Sequence, residues 1–170
     1  MKRARIISRI LFYFSRTMGL GYLVTTLYSI LCLLTGWFIL PYKDNYIHIN
    51  LPFTQTAFLN LELNMPYIIF SFLLPLTLYS AFFWLASNVF RVFTQPKLFT
   101  EESLKQLRLF YIFNLFPPIV LAIIASFFVS VESAVWILVV VHFVLGIFAY
   151  FLAAIFKQGL DLQKDQDLYI

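Results

Sequence analysis

The side chains able to do chemistry fall into two groups. The first lies within long apolar runs: His142, Asn88 and Asn114, with hydroxyls at Thr25, Thr26, Thr77 and Ser126. Proton and ion handling in an apolar medium relies on carboxylates, lysines or histidines. No Asp, Glu, Lys or Arg sits well inside any of the four runs, and Glu132 falls at a tip between two of them. His142 is the residue suited to a proton or ligand contact. The simpler expectation is that it hydrogen-bonds a facing hydroxyl or carbonyl. Asn88 and Asn114 fall near the same end of neighbouring runs and are expected to bridge them, a contact worth roughly 0.5–2 kcal/mol. The second group suits protein recognition: Phe99, Thr100, Glu101 and Glu102 between the second and third runs, and Gly159, Asp161, Asp165 and Asp167 in the tail.

No catalytic pattern joins either group. The chain has no phosphate-cradling G-x-x-x-x-G-K-[ST] loop, no nucleophile elbow and no H-E-x-x-H. The lone thiol, Cys32, has no partner for a disulfide, and no Cys/His cluster has zinc spacing. No catalytic, cofactor-binding or metal-binding residue is assigned, and the chain does not read as an enzyme.

The elements that position these residues follow from composition. Of 170 residues, 62% are hydrophobic, 20% aromatic and only 12% charged, with mean hydropathy +0.87. Soluble domains carry roughly a quarter charged residues, so this chain has too little polar surface for water and suits lipid. A bilayer core of about 30 Å needs about 20 apolar residues per helix. Four stretches qualify, at about 17–40, 67–90, 109–131 and 134–156. The expected fold is an all-α four-transmembrane-helix bundle forming one membrane domain over 1–170. Only Glu132 and Ser133 separate the last two stretches, which predicts a tight hairpin.

Eleven of the twelve lysines and arginines lie in 1–16, 91–108 or 157–170, and Lys43 alone lies on the other side. Short loops rich in these residues stay cytoplasmic, so the expected topology places both termini inside. The isoelectric point near 9.2 then reflects anionic headgroups, with no direct nucleic-acid role. The arginines of 1–16 interleave with Ile6, Ile7, Ile10 and Phe14, as in a helix lying on the inner leaflet; the plainer reading is that they only enforce topology. The basic start and apolar run are not read as a cleaved leader, because 17–40 is long and lacks a small-x-small site.

The outer loop, 41–66, alternates apolar and polar residues twice. Ile47, Ile49 and Leu51 would share one face and Leu59, Leu61 and Leu63 another, which predicts a short β-hairpin. His48 within it reads as a solvated strand residue rather than a sensor. In the inner loop, 91–108, Thr100 is a good N-cap with Glu101 and Glu102 in the first turn to oppose the helix dipole. Pro117-Pro118 should kink the third stretch.

Residues 88–108, which read N-V-F-R-V-F-T-Q-P-K-L-F-T-E-E-S-L-K-Q-L-R, resemble the pattern "pFTeeNvkrLr" of a bacterial membrane family, domain of unknown function 2975. The tail, from Ile155-Phe156-Lys157-Gln158-Gly159-Leu160 to Asp167-Leu168-Tyr169-Ile170, resembles its ending "iFreG..Lq.e.DlTI". Ser103 stands where that family usually has Asn, Leu98 where Pro is common, and Tyr169 where Thr closes the motif. The resemblance implies a four-span protein of the bacterial inner membrane without enzymatic activity. It also implies a partner, a small cytoplasmic helix-turn-helix regulator, held through Phe99, Thr100, Glu101, Glu102, Gly159, Asp165 and Asp167. The alternative is a subunit of a small transporter or channel, with His142, Asn114 and the proline kink lining a path. Four helices are few for a pore, so that reading calls for a homo-oligomer.

Overall fold

A computed structural model describes residues 2–42 and 45–167, apart from the side chains of Lys2 and Asp167. Helix α1 (Lys2–Thr35) is a single rod of 34 residues, about 51 Å at 1.5 Å per residue. The basic stretch is thus continuous with the first apolar run rather than a separate surface helix, because no proline interrupts it. Gly36 adopts φ 73° and its N–H bonds the Cys32 carbonyl at 2.8 Å. A left-handed residue of this kind ends helices. The first run therefore stops short of residue 40.

The residues released by Gly36 form a strand that alternation did not reveal. Strands β1 (Ile39–Tyr42), β2 (Tyr46–Asn50) and β3 (Ala57–Glu62) make an antiparallel sheet in that order. Ile39 pairs with Ile49, and Ile47 with Leu61, with an irregularity at Ile49/Asn50. The expected hairpin is β2–β3, and its third strand gives the pair the extra edge that a lone hairpin lacks. Ile47, Ile49 and Leu61 bury with Cys32, against Tyr28, Tyr67 and Phe72. Leu51 and Leu63, expected on the same faces, lie beyond the strand ends and are exposed. The Tyr28 hydroxyl donates to the Asn50 carbonyl, which ties the sheet to α1.

After Pro66 the chain enters a π-helical segment (Tyr67–Leu73), in which the Leu74 N–H reaches back five residues to the Ile69 carbonyl. Pro75 follows at once. Its ring excludes an N–H and crowds the carbonyl four residues earlier, so the wider turn relieves a conflict that a regular helix would keep. Helix α2 (Leu74–Val92) packs on α1 through small residues. A Cβ on Gly19 would sit 3.2 Å from the Trp84 nitrogen, and the Ser80 hydroxyl donates to the Gly19 carbonyl at 3.0 Å. Small residues let backbones approach where lipid offers no hydrophobic drive. The Arg16 guanidinium caps this interface, 3.3 Å over the Trp84 ring.

Thr100 starts α3 (Glu101–Leu115) as expected, accepting the Ser103 N–H at 3.1 Å. The proline pair breaks the rod at Phe116, and α4 (Pro117–Ser126) continues it. The helix ends at Ser126, so residues 127–132, not Glu132 and Ser133 alone, connect it to α5. Helix α5 (Ser133–Asp167) runs 35 residues unbroken and carries the tail as a helix. Packing runs from α1 to α2, α2 to α3, and α3 to α5. The main core gathers Val92, Leu107, Phe110, Ala153 and Phe156 near the α2–α3 loop.

The architecture is mostly helical, with a small three-stranded sheet at one end. Among the described residues four helices are long and apolar enough to cross a membrane: Arg3–Thr35, Tyr67–Val92, Glu101–Ser126 and Ser133–Gln166. Their outer surfaces are apolar, with Leu34 82% and Phe148 68% exposed.

Candidate functional site

Two places gather the chemically able residues, one towards the sheet end and one at the loop end opposite. Towards the sheet end, Asn114 on α3 and His142 on α5 are both buried and face each other, Oδ1 to Nδ1 at 2.8 Å. The Asn114 amide nitrogen donates to the Phe110 carbonyl at 2.7 Å, which leaves its oxygen as the acceptor. A neutral His142 must then carry its proton on Nδ1, and Nε2 is the acceptor. Phe82 meets the imidazole edge-on at 5.0 Å, and Tyr79 lies 5.8 Å away.

The partner of His142 is thus a facing carbonyl, as the simpler expectation has it, supplied by the side-chain amide of Asn114. Asn88 is half-buried on α2 and does not enter the pair. The expected Asn88–Asn114 bridge gives way because α3 begins at Glu101, so Asn114 lies fourteen residues into the rod. Counting from residue 109 had placed it too near the end.

His142 lines a cavity of about 690 Å³ that extends to the sheet end. Its walls come from the π segment, α2, α4 and α5, and include Tyr67, Tyr79, Leu121 and Leu138. Phe70 and Phe128 stack across it at 4.5 Å and 3°. Glu62 from the end of β3 and Glu132 from the α4–α5 connection are the charged residues of the lining, which holds no lysine or arginine. Both irregular helix features, the π segment and the Phe116 break, border it. Neither the cavity nor Glu62 was singled out from sequence, since β3 and α4 are far apart in the chain.

At the loop end, Phe99 reaches the tail helix. A Cβ on Gly159 would lie 2.7 Å from a Phe99 ring carbon, so only glycine seats the ring this closely. Phe99 also meets Phe156 edge-on at 5.3 Å. One turn and two turns further along α5, Leu160 is buried and Lys164 pairs with Glu101 at 2.7 Å. The Lys164 hydrogen bond holds the Glu101 carboxyl below its ordinary range and raises Lys164 in turn. Thr100 is occupied by capping, and its hydroxyl donates to the Ser103 hydroxyl at 2.9 Å.

Phe99, Thr100, Glu101 and Gly159 therefore join loop to tail. Glu102 and Asp165 remain exposed, Glu102 accepting from Gln106 at 2.5 Å. The side chain of Asp167 lies outside the described residues. Leu162, 64% exposed, stands between Asp161 and Asp165 on the outward face of the tail helix. Sequence reading missed Lys164 and Leu162. Helical spacing from Phe156 through Leu160 to Lys164 was the signal for an inward face continuing past the bundle.

In comparison with known proteins, no family model, no curated protein and no solved structure matches this chain.

Proposed function

We propose that this chain is a multi-pass protein of the bacterial inner membrane, with both termini in the cytoplasm. Its loop-and-tail face holds a small soluble helix-turn-helix regulator. The observation that carries the reading is the joining of the two segments. Phe99 against Gly159 and Glu101 against Lys164 hold loop and tail as one surface. That surface exposes Leu162, and Asp161, Asp165 and Glu102 are exposed on the same two segments. An exposed apolar anchor on segments that also expose three carboxylates suits a basic partner, since a few apolar contacts supply affinity and complementary charge speeds encounter. Catalysis forms no part of this reading.

The test is affinity recovery of the tagged protein from native membranes under mild crosslinking. A helix-turn-helix protein should accompany the parent and be lost from Glu102→Lys/Asp165→Lys, which leaves the Phe99 and Lys164 contacts intact. Undiminished recovery from that variant removes this face as the contact.

The cavity beneath the sheet favours a second reading, a subunit of a small oligomeric transporter or channel, because it reaches the buried His142. Reconstituted protein with ion flux that His142→Ala abolishes would support it, and unchanged flux would dismiss it.

A further inference from the structure

We propose that the cavity beneath the sheet binds a small lipophilic cation, a quaternary ammonium or phosphonium ion with an apolar body. The inference is independent of the partner reading, and four observations support it.

Size comes first. About 690 Å³ falls within the range of small-molecule pockets, roughly 300–1,000 Å³. The second is the wall. Leu74, Leu78, Leu121 and Leu138 give apolar surface, and Tyr67, Tyr79, Phe70 and Phe128 add aromatic rings to the lining, a group that attracts cations.

The third is charge. Among the described residues Glu62 and Glu132 line the cavity with no opposing lysine or arginine, and neither forms an ion pair. The sheet-end segments carry three carboxylates, Asp44, Glu62 and Glu132, against the single Lys43. A cleft lined by one sign of charge between low-dielectric walls concentrates the opposite ion. An anion would meet these carboxylates, and a neutral apolar molecule would leave them unused.

The fourth is the donor set. Among the described residues no three of His, Cys, Asp and Glu gather to hold a metal ion. A bare metal cation would have to shed its water against leucine and phenylalanine. An organic cation carries its own apolar shell and needs no such ligands.

The probe is tetraphenylphosphonium, titrated calorimetrically into the detergent-solubilised full chain, with tetraphenylborate as the anion of matching shape. We expect saturable binding of the cation and none of the anion. Glu62→Gln/Glu132→Gln should weaken cation binding by about tenfold or more, with the melting temperature retained. Leu78→Trp keeps both carboxylates and fills the cavity, and should also lose binding. Equal uptake of both ions by the parent protein overturns the proposal, and so does unchanged affinity in a folded double variant. Native mass spectrometry that finds a copurified phospholipid which the cation fails to displace would also overturn it, by assigning the cavity to a lipid chain.

Discussion

The two ends of the bundle are built on opposite plans. At the loop end, helices α2, α3 and α5 pack around Leu107, Phe110 and Phe156 beside an apolar pocket of about 470 Å³, and the tail is seated by a glycine. At the sheet end the helices part. A π segment and a proline break widen the rods, and a cavity of about 690 Å³ remains under the strands. Irregular helix turns sit where something other than packing sets the geometry. The loop end, with loop and tail joined, suits presenting a fixed surface to a partner. The open end suits admitting a ligand.

The largest expected effect tests that contrast through packing. Leu107 is fully buried in the loop end, and Leu107→Ala should cost about 2–4 kcal/mol. Leu138 lines the cavity and is partly exposed, so Leu138→Ala should cost less than about 1 kcal/mol. Unfolding in mixed micelles followed by circular dichroism compares them, and equal losses would erase the distinction between the ends.

Gly159→Val sharpens the same contrast at the tail. A Cβ there collides with the Phe99 ring, and overpacking of this kind costs about 1–3 kcal/mol. Gly21 has no neighbour within reach of an added Cβ, so Gly21→Ala should not destabilise. Cysteine crosslinking between positions 101 and 164, which meet in the parent, would report whether the tail has left the loop. Next in size is Asn114→Ala, which leaves the buried His142 N–H without its acceptor and should cost about 1–2 kcal/mol. The His142 ring resonance should shift in that variant, whereas Asn88→Ala should leave it in place.

The smallest effect is electrostatic. Lys164 lowers the Glu101 carboxyl from 4.5, and Glu101 raises Lys164 from 10.5. A depressed carboxyl stabilises above its unfolded value and loses that contribution as pH falls through the lower folded value. A raised ammonium stabilises below its unfolded value and loses it as pH rises through the higher one. The pair should therefore persist from about pH 5 to about pH 10. Both groups are solvent-exposed, so a lysine NMR titration should detect the change, while the melting temperature barely moves.

Much of the fold was legible in the sequence for a plain reason. Runs such as 67–90 and 134–156 carry no charge in their interiors, and nothing but a long helix uses such a run. Boundaries were less legible, because they depend on single backbone choices. The left-handed Gly36 ends α1 and frees β1, yet Thr35-Gly36-Trp37 reads equally well as the interior of a span. The site was half legible. Phe99 and Gly159 drew notice as partner contacts, and the structure sets them against each other. The register between two helices decides such a meeting, and no local pattern in either helix records it. The His142–Asn114 pair was hidden for the same reason, and the cavity with Glu62 and Glu132 more deeply, since it needs four elements at once.

The most direct test of the account places a photo-crosslinking amino acid at Leu162 in one version of the protein and at Phe53, an exposed residue of the sheet end, in another. Irradiation of living cells should yield an adduct with a small soluble helix-turn-helix protein from position 162 and none from position 53. No soluble adduct at 162, or the same soluble protein captured from 53, would contradict the claim that the joined loop and tail form the partner-binding face.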